Sequence, residues 1–369
     1  MGFAEPVTPL ASQSSSSGRT ADMSSKKVQM LPVAGEAATE IAPMHETPGG
    51  DPGLVLGEGL AAAALAMEDW RAVAHHCSRL VQAQPEHFEA WFNLGVARQQ
   101  IGESSEAVFA YHQAFRLRPE DARPLVNLGM VRQTIGELDG AREAYQSALA
   151  LDPSNTVALW NLGLLLEESE ALEDAESLYQ RLVQLEPDLE EAWFHLGVLR
   201  SRERDWKAGE RAFRECLGRR PKWLEAELNL ASCLVNLERL EEAQRIYESA
   251  IEKDPQCAGA WRGLGAVAVE KADWETGVTV RKRLLELKQT LPELTYDLAL
   301  VLEQQGRFEE AVRMYCEALK EQPKFPEALL NLGHVLNRLG QSVEATECWK
   351  RAMGLKKEYA RAYFAGPAH

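Results

Sequence analysis

A leucine returns every 34 residues along most of this chain. With Leu54 as position 1 of the first unit, position 7 is Leu60, Leu94, Leu128, Leu162, Leu196, Leu230, Leu264, Leu298 and Leu332. Nine units follow one another without insertion or deletion. A period of this length marks a chain built from one supersecondary unit stacked on copies of itself. Other positions keep the same ruler. Position 8 is Gly or Ala in every unit, from Ala61 to Gly333. Position 20 is Ala at Ala107, Ala141, Ala175, Ala243, Ala311 and Ala345. Position 24 is a large ring at Tyr111, Tyr145, Tyr179, Phe213, Tyr247, Tyr315 and Trp349. Position 32 is Pro in seven units, among them Pro85, Pro187 and Pro255.

These positions predict two helices per unit. Positions 3, 4, 7, 8 and 11 form one face of a first helix at a period of 3.6, and positions 17, 20, 24 and 27 form one face of a second. Small residues at 8 and 20 let the two helices cross closely, and the ring at 24 fills the space beside them. Proline at 32 ends the pair, because it cannot continue a helix interior. One pair cannot bury its apolar stripe alone, so neighbours must stack.

The ordered set (Trp at position 4 in Trp91, Trp193 and Trp261, then Leu, Gly, Ala, an aromatic and Pro) resembles the tetratricopeptide repeat over residues 54–359. The resemblance implies an all-α, right-handed α-solenoid of nine 34-residue helix-turn-helix repeats. Their expected limits are 54–87, 88–121, 122–155, 156–189, 190–223, 224–257, 258–291, 292–325 and 326–359. Before them, residues 1–53 hold Ser14–Ser17 in a row and scattered prolines. Too little apolar surface there offsets ordering entropy, and a disordered tail is expected. After the array, residues 360–369 read as the start of an unfinished tenth first helix, which raises end-to-end pairing of copies as an expectation. Repeat 7 departs most, with Gly263 at position 6, Ala272 at 15, Gly277 at 20, Arg281 in place of the ring and Gln289 in place of Pro.

Composition excludes some classes of function. A formal net charge of −16 opposes general nucleic-acid binding, which needs many cations facing phosphates. No apolar run reaches the roughly 20 residues of a membrane helix. The six cysteines form no C-x-x-C pair and no Cys/His cluster, which fits reduced thiols and a cytoplasmic setting. No phosphate loop, H-E-x-x-H or nucleophile elbow occurs, so no catalytic residue, cofactor or metal is expected. Charge is uneven, however. Nine basic residues lie between Arg200 and Lys222, shortly after the acidic run Glu167–Glu176. Solvated surface is the simplest reading of both runs, and a docking patch for an acidic partner is the alternative.

In the family this chain resembles, first helices line the groove that receives a partner. The resemblance therefore implies that positions 2, 5, 6, 9, 12 and 13 face a ligand. Position 6 is Asn93, Asn127, Asn161, Asn229 and Asn331, with His195 continuing the row. An amide donates and accepts at once, so such a row can clasp an extended peptide by its backbone. The row is similar to the amide-lined groove of the O-linked N-acetylglucosamine transferase superhelix, here without a catalytic domain. Position 5 adds Phe92, Trp160, Phe194 and Tyr296, and with the residues at 9 it predicts an apolar ridge. Trp160 stands apart from the tryptophans at packing positions and reads as an exposed binding anchor. Position 2 is mostly acidic and position 5 is apolar except for Arg262, so the basic carboxylate clamp of the family's co-chaperones is not expected.

The resulting expectation is a non-catalytic scaffold that holds an extended peptide or a partner helix across repeats two to six. A substrate-recruiting or regulatory subunit, with a glycosyltransferase or other enzyme acting in trans, is a second reading. A structural scaffold that self-assembles is a third.

Overall fold

The computed structural model describes residues 52–356, with side chains from residue 56 onward. Among the described residues there are eighteen α-helices and no strand. The fold is an α-solenoid of nine helix pairs, in which odd-numbered helices are the first and even-numbered helices the second of each repeat. The first helix begins at Pro52, two residues before the expected start. The rest of the expected tail and the stub at 360–369 lie outside the described residues.

The chain divides into two compact units, with the boundary at Arg200. The first comprises α1 (Pro52–Ala66), α2 (Trp70–Ala83), α3 (Phe88–Gln100), α4 (Ser104–Leu117), α5 (Arg123–Thr134), α6 (Leu138–Leu151), α7 (Thr156–Glu168), α8 (Leu172–Leu185) and most of α9 (Glu190–Arg202). The second comprises α10 (Trp206–Arg219), α11 (Leu224–Asn236), α12 (Leu240–Lys253), α13 (Ala258–Glu270), α14 (Trp274–Glu286), α15 (Pro292–Gln304), α16 (Phe308–Glu321), α17 (Pro326–Arg338) and α18 (Ser342–Leu355).

The turn inside each pair is set by backbone handedness. Position 15 has a positive φ in all nine repeats, at Gly102, Gly136, Gly306 and Gly340 and at the non-glycine residues Glu68, Glu170, Arg204, Glu238 and Ala272. The next amide then bonds five residues back, as Glu103 does to Arg98 at 2.8 Å, which closes the first helix with a Schellman-type ending. Side chains start several helices: Asp69, Asn155, Asp205 and Asp273 each accept from a backbone N–H three residues on. Proline at 32 has a further use. Its carbonyl accepts the indole N–H of the next tryptophan at position 4, at 2.8 Å for Trp91, 2.9 Å for Trp193 and 3.0 Å for Trp261.

In repeats 2, 3, 4 and 9 the ring at 24 packs on the glycine at 8. Tyr111, Tyr145, Tyr179 and Tyr315 are completely buried. A Cβ added at Gly129 would lie 2.5 Å from the Tyr145 ring, and one at Gly95 would lie 2.6 Å from Tyr111. Position 8 is small in those repeats because the ring already occupies that space.

Repeat 7 solves the same problem differently. Its Arg281 reaches into the next repeat, donating from Nε to Thr295 Oγ1 at 3.0 Å and from Nη2 to Glu321 Oε1 at 2.9 Å. Gly263 makes room for the Tyr247 ring of the preceding repeat, and Gly277 for Leu298 of the following one. Without Pro at 32, α14 ends through Lys288 at φ 57°, and Gln289 bonds back to Leu284.

Candidate partner-binding face

The first helices carry a repeated polar rung. In four of the five repeats with tyrosine at position 24, its hydroxyl donates to the side chain at position 12 of the same repeat. The distances are 2.8 Å from Tyr111 to Gln99, 3.0 Å from Tyr145 to Gln133, 3.4 Å from Tyr179 to Glu167 and 2.8 Å from Tyr315 to Glu303. Burial pushes all four phenols well above their ordinary range, so they stay protonated and donate. The residue at position 6 of the next repeat joins the rung. Asn127 hydrogen-bonds the Tyr111 hydroxyl, and His195 Nδ1 lies 2.8 Å from Glu167 Oε2. Asn331 contacts Tyr315 and donates to the Tyr296 hydroxyl at 2.9 Å. Asn229 instead bonds back to the Glu225 carbonyl at 2.8 Å within its own helix.

Thus much of the row at position 6 knits neighbouring repeats together. Asn93, Asn127, Asn161 and Asn229 are buried, while Asn331 and His195 are half-buried. The ring row at position 5 overturns the expected exposed ridge. Phe92 is 1% exposed, Phe194 3%, Trp160 6% and Tyr296 9%. The physical reason is the ring at 24: position 5 of the first helix covers it. Phe92 packs on Tyr111, Trp160 on Tyr179 and Tyr296 on Tyr315, at centroid distances of 5.9, 5.8 and 5.8 Å. Trp160 is therefore not an exposed anchor.

One place in the row is chemically unfinished. At the junction of α7, α8 and α9, the His195 ring stacks on Tyr179 at 5.2 Å and meets Trp160 edge-on at 5.4 Å. Phe194 closes on His195 at 5.8 Å. Trp160 Nε1 is buried in this group without an acceptor, and so is Nδ2 of the adjacent Asn161 on α7. His195 is the most exposed member of the group, at 21% of its side chain.

Burial raises the Cys77 thiol to about 12 and the Cys233 thiol to about 11, so neither forms a thiolate near neutral pH. Among the described residues no three His, Cys, Asp or Glu side chains converge as a metal site, and no helix is long and apolar enough to cross a membrane. The sequence reading missed position 12. Its signal was present, because Gln or Glu stands at 12 in four of the five repeats that carry tyrosine at 24.

The family profile described as "Tetratricopeptide repeat" matches residues 59–122, 97–156 and 126–190. Further profiles with that description match 202–268, 292–335 and 326–351. No curated protein matches the chain. Similar solved structures include the crystal structure of MamA, at 20% identity over 44% of this chain and 95% of that chain, with a TM-score of 0.42. PilF of Pseudomonas aeruginosa is similar at 24% identity over 56% and 93%, with a TM-score of 0.43. A repeat protein from Parabacteroides merdae ATCC 43184 is similar at 19% identity over 72% and 98%, with a TM-score of 0.46.

Proposed function

Because the chain belongs to the tetratricopeptide repeat family, we propose that it is a non-catalytic scaffold holding an extended peptide of a partner protein on its first helices. The observation that carries this reading is the enclosed pair of donors, Trp160 Nε1 and Asn161 Nδ2, left without acceptors in repeat 4. A buried unsatisfied donor costs about 1–3 kcal/mol. Each is a donor that an incoming carbonyl would stabilise. A peptide backbone offers carbonyls in any sequence, which suits a row of amides. His195, half-buried over Trp160 and bonded to Glu167, is the member of the group nearest solvent.

The test is affinity capture with the full chain and with Trp160→Phe/Asn161→Ala, which keeps a ring at 160 and removes both donors. Proteins held by the native chain are expected to be lost from the variant, with its melting temperature preserved. Retention of the same proteins in equal yield would place binding elsewhere and sink this reading.

A further inference from the structure

We infer that a basic recess between repeats 5 and 6 is a second docking site, and that it takes the acidic side chain of a partner peptide. It lies outside the first-helix row and is independent of the Trp160 site. The segment Arg200–Lys222 holds nine basic and four acidic residues in a chain whose net charge is −16. A local excess of five positive charges in an acidic protein needs a structural account, and internal pairing explains only part of it.

Glu210 and Glu242 take up one cation of the segment, Arg214, together with Arg239 from beyond it. Arg214 bonds Glu210 at 2.9 Å and approaches Glu242 at 3.4 Å. Arg239 bonds Glu210 at 2.6 Å and grips both oxygens of Glu242. Arg219 turns to Glu215 at 2.7 Å. Lys207 and Arg211 have no hydrogen-bond or ion-pair partner among the described residues. They stand four residues apart on α10 and so share one face of it.

Both line a recess of about 410 Å³, together with Glu210, Leu237 and Arg239. Arg239 sits on its wall, already oriented by two carboxylates. Leu237 gives an apolar patch against which the stem of an acidic side chain can rest. Two unpaired cations and a fixed guanidinium facing a cavity form a receptor for one anionic group, made by charge-assisted hydrogen bonds. The overall negative charge disfavours a long polyanion such as nucleic acid, whose binding needs many cations at once. A peptide with a short acidic cluster meets the recess alone and avoids the wider field, which is screened within about 10 Å at moderate salt.

The experiment titrates full-length protein against fluorescent peptides of one sequence: a Glu-Glu form, a phosphoserine form and a neutral Gln-Gln form. The acidic forms are expected to bind at low salt and the neutral form to bind at least about tenfold more weakly. The relative affinity of the two acidic forms assigns carboxylate or phosphate as the preferred source of the charge. Lys207→Gln/Arg211→Gln should weaken the acidic peptides about tenfold, whereas Arg202→Gln/Lys222→Gln, which removes the same charge outside the recess, should leave them unchanged. Trp160→Phe/Asn161→Ala should also leave them unchanged, which separates this site from the first-helix row. Four outcomes overturn the inference: no measurable binding of either acidic form, equal binding of the neutral form, equal loss in the two Gln pairs, or tighter binding of a single-stranded oligonucleotide.

Discussion

At the scale of single residues, the glycines divide by what surrounds them. Gly129 faces the Tyr145 ring, and an added Cβ would lie 2.5 Å from it. Gly218, on α10, meets nothing within 4 Å. Gly129→Ala is therefore expected to destabilise by about 1–3 kcal/mol through overpacking. Gly218→Ala is expected to stabilise by about 0.5–1 kcal/mol through helix propensity. Urea denaturation of the two variants should show shifts of opposite sign. A pH effect also belongs here. Neutral His87 accepts from Ala90 N–H at Nδ1 and donates from Nε2 to Glu58 at 3.1 Å; once protonated, Nδ1 gives up the cap and donates to Glu89, 3.4 Å away. The Glu89 hydrogen bond is the largest influence raising its pKa, opposed in part by burial, with Glu58 adding to the rise. The bond to His87, helped by Arg118, lowers Glu89 to about 2. The two shifts describe one coupled interaction and count once. A raised histidine contributes stability that is fully present below its ordinary 6.5 and is lost as pH rises through its folded value. The lowered Glu89 contributes above 4.5 and loses that contribution as pH falls toward about 2. The junction of repeats 1 and 2 should therefore be firmest between these limits. Amide exchange across α1 to α3, corrected for intrinsic rates, should show more opening at pH 8.5 than at pH 6, and His87→Gln should remove the difference.

At the scale of elements, the pairing of helices was legible and the direction of the side chains was not. The 34-residue ruler placed the helices, the small residues at 8 and the rings at 24, because one physical cause, burial of a stripe, acts the same way in every repeat. Exposure of positions 5 and 6 was misjudged because it depends on the neighbouring repeat, which a single period does not describe. Trp160 looked free by elimination from the packing positions. It is covered because Tyr179 stands behind it and His195 of the next repeat lies over it. Repeat 7 was recognised as irregular from its residues, but its repair through Arg281 was not, since the acceptors Thr295 and Glu321 lie in the following repeat. Arg281 and Glu321 are 18% and 11% exposed, so losing one strands the other. Arg281→Met is expected to cost about 1–3 kcal/mol. Adding Glu321→Leu should recover much of it, a coupling that a double-mutant cycle measures.

At the scale of the whole molecule, each repeat touches mainly its neighbours, so stability is close to a sum of local terms. Unfolding should follow the weakest unit instead of one all-or-none step. Within the second unit that weak place is repeat 7, which lacks the ring at 24 and the proline at 32. Hydrogen exchange resolved by peptide should show residues 258–291 exchanging before residues 292–350. Equal protection across both stretches would mean that the Arg281 contacts replace the ring in full.

Nine similar helix pairs in one chain create a hazard of identity during folding, since a first helix can meet a second helix from the wrong repeat. The tyrosine rung penalises such pairings where the other repeat lacks an acceptor at position 12. Tyr145 matched with its own Gln133 closes a hydrogen bond, whereas Tyr145 matched with Val269 of repeat 7 would bury a hydroxyl opposite an apolar side chain. Arg281 finds its carboxylate only in repeat 8. A sliding error is rejected too, because one residue of slip turns a helix by about 100° and shifts it about 1.5 Å, enough to part donor from acceptor. The small departures from the repeat pattern thus let a periodic chain recognise its own order.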